Sequence, residues 1–313
     1  PPPSLLPRSY AFILPYFVSV VSEQYVQVRT SFASLERLLQ YLQLPQEKAR
    51  RASGDPPPPW PADGRIRFSD VCLRYRPGLP LALNTFSAVV PARQKTGVVG
   101  RTGAGKSSII LALFRLVELD GGTIEVDGVD VSALGLASLR QAITIIPQDP
   151  VLHAGSVLAN LDPFGKRTTA ELGAALRRAR LPEAMLYAEV AKGGSNLSSG
   201  ERQLLCFARA LLQATPILIL DEATSNLDSA TDDAVQALLR DEFGGRTIIT
   251  VAHRINTVVD YDAILVMADG RLVEQGAPKD LLADRTSALS AMVGALPASA
   301  SAALRRRAQG AAS

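Results

Sequence analysis

This sequence predicts an α/β fold with a parallel sheet and a helical insertion. Three observations carry that reading. Apolar runs of strand length at 96–100, 216–221, Thr247–Val251 and 263–267 are each followed or separated by helical patterns. The run 216–221, Pro-Ile-Leu-Ile-Leu-Asp, is apolar without alternation, as in a strand buried on both faces of a parallel sheet. The first of these strands ends in a glycine-rich turn that opens a helix at 107–117, and further helices are expected at 168–180, 200–213 and Ser229–Asp241.

Composition bounds the rest. The 313 residues, 47% hydrophobic and 20% charged, supply one large or two modest cores and exclude disorder as the main state. Lys+Arg 33 against Asp+Glu 30 leaves +3, too small a surplus to make a polyanion-binding surface, so no nucleic-acid partner is expected. Cys72 and Cys206 cannot build a disulfide framework or a four-cysteine zinc site, which favours a reducing, cytoplasm-facing setting.

Along the chain, the apolar run at 10–21 suits a buried helix, the inner end of a membrane helix or, less well for want of a small-residue cleavage site, a signal peptide. The chain opens on Pro1 in mid-pattern, and the expectation is a fragment or processed form. Phe32, Leu35, Leu38, Leu39 and Leu42 recur at helical spacing and make an amphipathic helix. From there the Pro-rich stretch 45–64, with prolines at 56–59, reads as an extended linker and a domain boundary. Ile66, Phe68, Val71, Leu73 and Tyr75 open a region of strands, and runs at 122–127 and 142–147 continue it. The Ala/Ser-rich tail 297–313, with Arg305 to Arg307, is expected to be disordered.

Gly100-Arg101-Thr102-Gly103-Ala104-Gly105-Lys106-Ser107 fits the phosphate-loop pattern G-x-x-x-x-G-K-S/T, between an apolar strand and a helix. Glycines at 100, 103 and 105 let backbone N–H groups turn toward one anion, and the helix N-terminus adds about half a positive charge. Lys106 then reaches the terminal phosphates and Ser107 a magnesium ion. The pair Asp221-Glu222 closes the buried run at 216–221, placing one carboxylate to hold the metal and the next to polarise a water. No asparagine is followed by lysine, so the guanine-specifying pattern is missing.

Leu197-Ser198-Ser199-Gly200-Glu201, followed by Arg-Gln-Leu and a helix ahead of Asp221-Glu222, resembles the signature of ATP-binding cassette proteins. In the same order, Gln148 looks like the Q-loop residue, Ser225-Asn-Leu-Asp228 like the D-loop and His253 like the switch histidine. The stretches beginning at Tyr75 and Gly100, Asn160-Leu-Asp-Pro-Phe164 and Gly194-Ser-Asn-Leu resemble the second nucleotide-binding domain of subfamily C, the multidrug-resistance-associated exporters.

The resemblance implies a P-loop NTPase, RecA-like core with an antiparallel β subdomain and a helical signature subdomain at about 149–213, preceded by N-terminal helices. By it, residues 1–44 are the end of a transmembrane domain with its connecting helix, and 65–296 the cassette. It also implies a nucleotide site of Tyr75 on adenine, residues 100–107 with Ser108 on the phosphates, Lys106 and Gln148 in catalysis, Ser107, Gln148 and Asp221 on Mg2+, Glu222 as base and His253 on the γ-phosphate. Ser198 and Gly200 face the nucleotide of a second nucleotide-binding domain in a head-to-tail sandwich. The implied activity is ATP hydrolysis coupled to transmembrane export of organic solutes, anionic or conjugated ones among them, at the cytoplasmic face of a membrane.

Two features depart from the family pattern. Ser199 and Glu201 stand where Gly and Gln are usual, and 181–193 is short, as a trimmed loop or a damaged helical subdomain would be. Two rival readings follow: a binding-only regulatory cassette, and a soluble cassette ATPase of DNA repair or translation. The second needs a long coiled-coil insertion or a second cassette, and 106–197 has no sustained heptads.

Overall fold

The structure, a computed structural model, describes residues 5–44, 46–223 and 227–310, which fall into two units, 1–48 and 49–313. In the first unit, the two helical patterns read from the sequence join into one helix, α1 (Leu5–Leu42), of 38 residues. Pro15 lies inside it, and Thr30, Ser31 and Ser34 return their hydroxyl hydrogens to carbonyls one turn back, so no polar group of theirs competes with the helix. A buried helix over 10–21 is not what forms: Leu14, Phe17 and Val21 are 68%, 59% and 65% exposed. Among the described residues no helix is long and apolar enough to cross a membrane.

The second unit is built on a six-stranded sheet, β3 (Lys95–Gly100), β6 (Ile143–Ile146), β9 (Ile217–Asp221), β10 (Thr247–Val251), β11 (Ala263–Ala268) and β12 (Arg271–Gly276), in the order β12-β11-β3-β10-β9-β6. All pairs are parallel except β11 with the edge strand β12. The all-buried pattern of β10 and the buried Ile217–Leu220 stretch of β9 follow from their lack of alternation, since helices cover both faces. Beside it stands an antiparallel sheet of β1 (Ile66–Leu73), β2 (Leu83–Val90), β4 (Gly121–Val126) and β5 (Val129–Asp130), ordered β2-β1-β4-β5.

Helix α2 (Lys106–Leu113) is wedged in the core these sheets share, where Phe68 and Phe86 meet edge to face at 5.4 Å. It stops at Leu113 rather than near 117 because Arg115 takes φ 48, its buried guanidinium donating to Val131 O and Leu134 O. A second core packs α4 (Val157–Leu161), α5 (Thr169–Arg178), α6 (Ser199–Gln213) and α7 (Ser229–Asp241) beside a face of the large sheet. The short strands β7 (Gly155–Ser156) and β8 (Glu189–Val190) pair there, and the short stretch 181–193 is packed, with Leu186 and Val190 buried.

Two expectations about loose segments need correcting. The Pro-rich stretch is not free from 49 onward. The Asp55 carboxylate accepts from Gly135 N–H and Ser138 Oγ–H, at 2.7 Å each, while Ala49 O and Arg50 O take the first N–H groups of α3 (Leu136–Ala142). Further on, Asp127 accepts from the N–H groups of Ala62, Asp63, Gly64 and Arg65 at 2.7–3.0 Å. Prolines supply no donors, and the N–H groups present are met within the stretch, Ala52 on Asp55, or by the Asp127 carboxylate of the domain.

The tail forms helix too. After α8 (Pro278–Ala283) and α9 (Ala288–Gly294), helix α10 (Ala298–Gly310) buries Leu304 and Ala308 against them, and Arg305 and Arg307 reach Ser290 and Asp260. Alanine is the best helix former, and one buried leucine per turn face is enough once a docking surface exists.

Asp127→Ala should lower the stability of the unit by roughly 3 kcal/mol in urea denaturation, since four charge-assisted bonds lose their acceptor. Burial works to raise the Asp127 pKa, but the four donors outweigh it and hold it below the ordinary value. The wild-type advantage over Asp127→Ala is therefore full above the unfolded carboxylate pKa and declines as pH falls through the lower folded one.

Candidate nucleotide site

The parallel register brings the ends of β3, β10 and β9 to one edge, with Val251 opposite both Val98 and Asp221. Every expected catalytic side chain leaves the sheet at that edge, where open α/β sheets bind ligands. Lys106 follows β3, Asp221 and Glu222 end β9, His253 follows β10, and Gln148 lies two residues beyond β6.

The loop between β3 and α2 is shaped for an anion. Gly103 and Gly105 sit at φ 83 and φ 94, and a Cβ at Gly105 would lie 2.6 Å from Ala82 O, so no side chain fits there. A Cβ at Gly103 would meet nothing within 4 Å, leaving open space over the loop. Among the described residues, the N–H groups of Gly105, Lys106 and Ser107 have no acceptor, as expected at a helix start. Lys106 is 5% exposed, and its ammonium donates to Gly100 O at 3.0 Å and Arg101 O at 3.1 Å. Burial lowers its pKa, and the nearby Glu222 and Asp221 carboxylates partly restore it. Such a lysine, held by neutral carbonyls, fits a polyphosphate that would supply full negative charge.

Across the edge, Glu222 adopts φ 50, a left-handed backbone strained for a non-glycine residue, fixed by its N–H on Val251 O at 3.0 Å. That turn aims the carboxylate at His253, whose Nε2 lies 2.7 Å from Oε1. The carboxyl of Asp221 is pushed above its ordinary pKa by burial first and by Glu222 second, with His253 and Lys106 pulling the other way.

The expected metal set of Ser107, Gln148 and Asp221 fits the hard-cation pattern of a single carboxylate completed by neutral oxygens and a ligand's phosphates. Ser107 and Gln148 are both exposed at this edge. No group of three or more His, Cys, Asp or Glu side chains among the described residues could hold a metal by itself.

Tyr75 is 47% exposed, and its hydroxyl is 2.7 Å from Ser108 Oγ, which tethers the ring to α2. No sequence pattern marks that tether. Ser198 and Gly200 are placed elsewhere, at the start of α6, and share no described contact with the phosphate loop. Ser198 caps α6 in a reciprocal box with Glu201: Glu201 N–H donates to Ser198 Oγ at 3.2 Å, and Ser198 N–H and Oγ–H both donate to Glu201 Oε2 at 2.8 Å. Glu201 in place of glutamine thus engages the serine proton and is itself held below its ordinary pKa, chiefly by the Ser198 N–H. Of the expected D-loop, Ser225 and Asn226 lie outside the described residues, whereas Asp228 caps α7 by accepting from Thr231 N–H at 3.0 Å.

One link was not visible in the sequence. Arg209 on α6 donates to Val151 O, Asn160 O and Asn160 Oδ1, and Asn160, 5% exposed, also bonds His153 and Ser156. The signature helix is thereby clasped to the segment that follows Gln148. The motif around Asn160 was the available signal; Arg209 stands on a helix face with no pattern to mark it.

A P-loop α/β domain with an antiparallel sheet and a helical part on this plan defines the nucleotide-binding domain of an ABC protein. Residues 83–225 match the family model described as ABC transporter, and the chain belongs to that family. It is 45% identical over 293 residues to multidrug resistance protein mrp-7 of Caenorhabditis elegans, covering 91% of this chain and 19% of that protein. It is 45% identical over 267 residues to ATP-binding cassette sub-family C member 2 of Rattus norvegicus, covering 83% and 17%. Identity to the ATP-dependent bile acid permease of Saccharomyces cerevisiae is 42% over 295 residues, covering 86% and 18%. The domain is of the multidrug-resistance-associated type, and the chain spans less than a fifth of these relatives. A solved structure, a bacterial Atm1-family ABC exporter with ATP bound, superposes with TM-score 0.77 at 31% identity, over 92% of this chain and 52% of the other.

Because the folded Asp221 pKa is raised, its ionised form costs stability: the favourable contribution is full below the unfolded pKa and is lost as pH rises through the folded one. Asp221→Asn should therefore raise the melting temperature of the ligand-free chain at neutral pH and leave it unchanged at pH 3, as scanning calorimetry would record.

Proposed function

We propose that this chain is the ATP-binding and ATP-hydrolysing module of an exporter, coupling hydrolysis to transmembrane transport of organic solutes. The observation that carries the reading is the meeting of the buried Lys106 with the Asp221-Glu222 pair and His253 at one sheet edge, Glu222 and His253 in direct contact.

In this reading the loop N–H groups and Lys106 bind the triphosphate, and Lys106 exchanges its two carbonyl partners for phosphate oxygens. Tyr75 offers an exposed ring face to adenine, its tilt fixed by Ser108. Ser107, Asp221 and Gln148 hold Mg2+, which when bound offsets phosphate charge. Glu222 takes the proton of the attacking water as its oxygen bonds the γ-phosphorus and the bond to the β-phosphate oxygen breaks. His253, already on Glu222, holds that carboxylate in place and hydrogen-bonds the γ-phosphate.

Ser198 and Gly200 serve a second nucleotide-binding domain, and closure of that head-to-tail pair, stabilised by ATP touching both, is the step that moves the transmembrane domains. Two of the compared proteins are named as a permease and an exporter, which supports a membrane setting, and the first is called a bile acid permease, which supports an amphipathic organic anion as cargo.

Phosphate release under single-turnover conditions tests this. Glu222→Gln should lower the rate by about a hundredfold or more while ATP affinity stays within a few-fold. Lys106→Ala should weaken ATP binding by about ten- to a hundredfold. Equal hydrolysis by wild type and Glu222→Gln would overturn the enzymatic reading.

A further inference from the structure

A cavity of about 1120 Å³ has residues Arg101–Ala104 as one wall and the helices α9 and α10 as another. Its apolar lining comes from Met267 on β11, Ala291 and Met292 on α9, and Ala303 and Leu304 on α10. Three exposed arginines, Arg101, Arg254 and Arg307, line it together with one acidic residue, Asp269. Arg307 is engaged by Asp260 at 3.0 Å. Among the described residues the guanidinium groups of Arg101 and Arg254 have neither a hydrogen-bond nor an ion-pair partner. Of the nucleotide-site residues, Arg101–Ala104 and His253 also line this cavity, whereas Gly105, Lys106, Ser107, Asp221, Glu222 and Tyr75 do not. A triphosphate finds no match in its alanine and methionine wall.

We propose that this cavity is a second ligand site, for a small organic anion with an apolar body, such as a medium-chain carboxylate. Pockets of roughly 300–1,000 Å³ enclose drug-sized ligands, so the space suffices, and burying a chain of methylenes supplies the driving force. The acid group sits on Arg101 and Arg254, since an anion entering past two uncompensated cations gains charge-assisted hydrogen bonds that a neutral analogue does not. Because 101–104 are shared with the phosphate loop, occupancy of the two sites is linked. The site itself is independent of whether the chain hydrolyses ATP.

The chain has three methionines, and two of them, Met267 and Met292, line the cavity, whereas Met185 packs in the core beside α5 and α6. The exposed apolar helix α1 has none, so methionine methyl signals do not report ligand adsorbed there. The full chain, labelled with 13C-methyl methionine, is titrated with decanoate and separately with 1-decanol below their self-association limits. Saturable shifts of Met267 and Met292 with Met185 unmoved are expected. Ala303→Trp, which fills the cavity, should weaken decanoate at least tenfold; Arg254→Gln should weaken decanoate several-fold and leave decanol unchanged.

Equal movement of all three methyls, no saturation, or wild-type affinity in a folded Ala303→Trp would overturn the proposal. If Ala303→Trp does not fold, the Arg254→Gln comparison decides, and equal affinity for decanoate in wild type and variant overturns it. Strict competition of decanoate with ATP, with no ternary complex, would make the cavity part of the nucleotide site and also overturn it. Glu222→Gln turnover is a separate readout, so failure of the ATPase reading and failure of this one are distinguishable.

Discussion

The register of β3, β10 and β9 is the constraint on which the rest depends. With Val251 opposite both Val98 and Asp221, β9 and β10 end together and β3 runs two residues further, so a lysine, two carboxylates and an imidazole leave the sheet at one edge. A slip of one residue in any pair would exchange the side chains of the two faces and part Glu222 from His253. Both faces of β10 and of Ile217–Leu220 are buried, so the register is held by the parallel ladders on either side of β10 and by the fit of particular side chains on each face. The strained φ 50 at Glu222 is tolerated because the sheet around it is over-determined.

Much of this was legible beforehand. The phosphate loop, the acid pair and the buried runs depend on local patterns, namely glycine positions, an unbroken apolar strand and a lysine-serine at a helix start. Ser229–Asp241 and Thr247–Val251 form with the bounds their patterns marked. Glu222 and His253, 31 positions apart, were expected to share a site, but their contact depends on strand order, which no single-strand pattern encodes. The Tyr75–Ser108 and Arg209–Asn160 links were hidden for the same reason.

Where reading failed, composition was trusted over partners. The proline row at 56–59 and the Ala/Ser tail look unable to fold alone, and alone they would not. Asp127 supplies acceptors for the first, whose own Asp55 accepts from Gly135 and Ser138, and α8 and α9 a surface for the second. In both cases the ordering energy comes from the rest of the domain. The same docking of α10 creates the cavity beside the phosphate loop, so a segment with little pattern of its own shapes the surroundings of the most strongly patterned one.

The central claim is that Lys106, Ser107 and Asp221 hold one triphosphate with its metal, and that Glu222 stands beside it as the base. Its most direct test is a structure of the chain with a non-hydrolysable ATP analogue and Mg2+. The account predicts that Lys106 Nζ leaves Gly100 O and Arg101 O for the terminal phosphate oxygens, and that Asp221 would hold the metal. A nucleotide seated away from this edge, with Lys106 still on its two carbonyls, would contradict it.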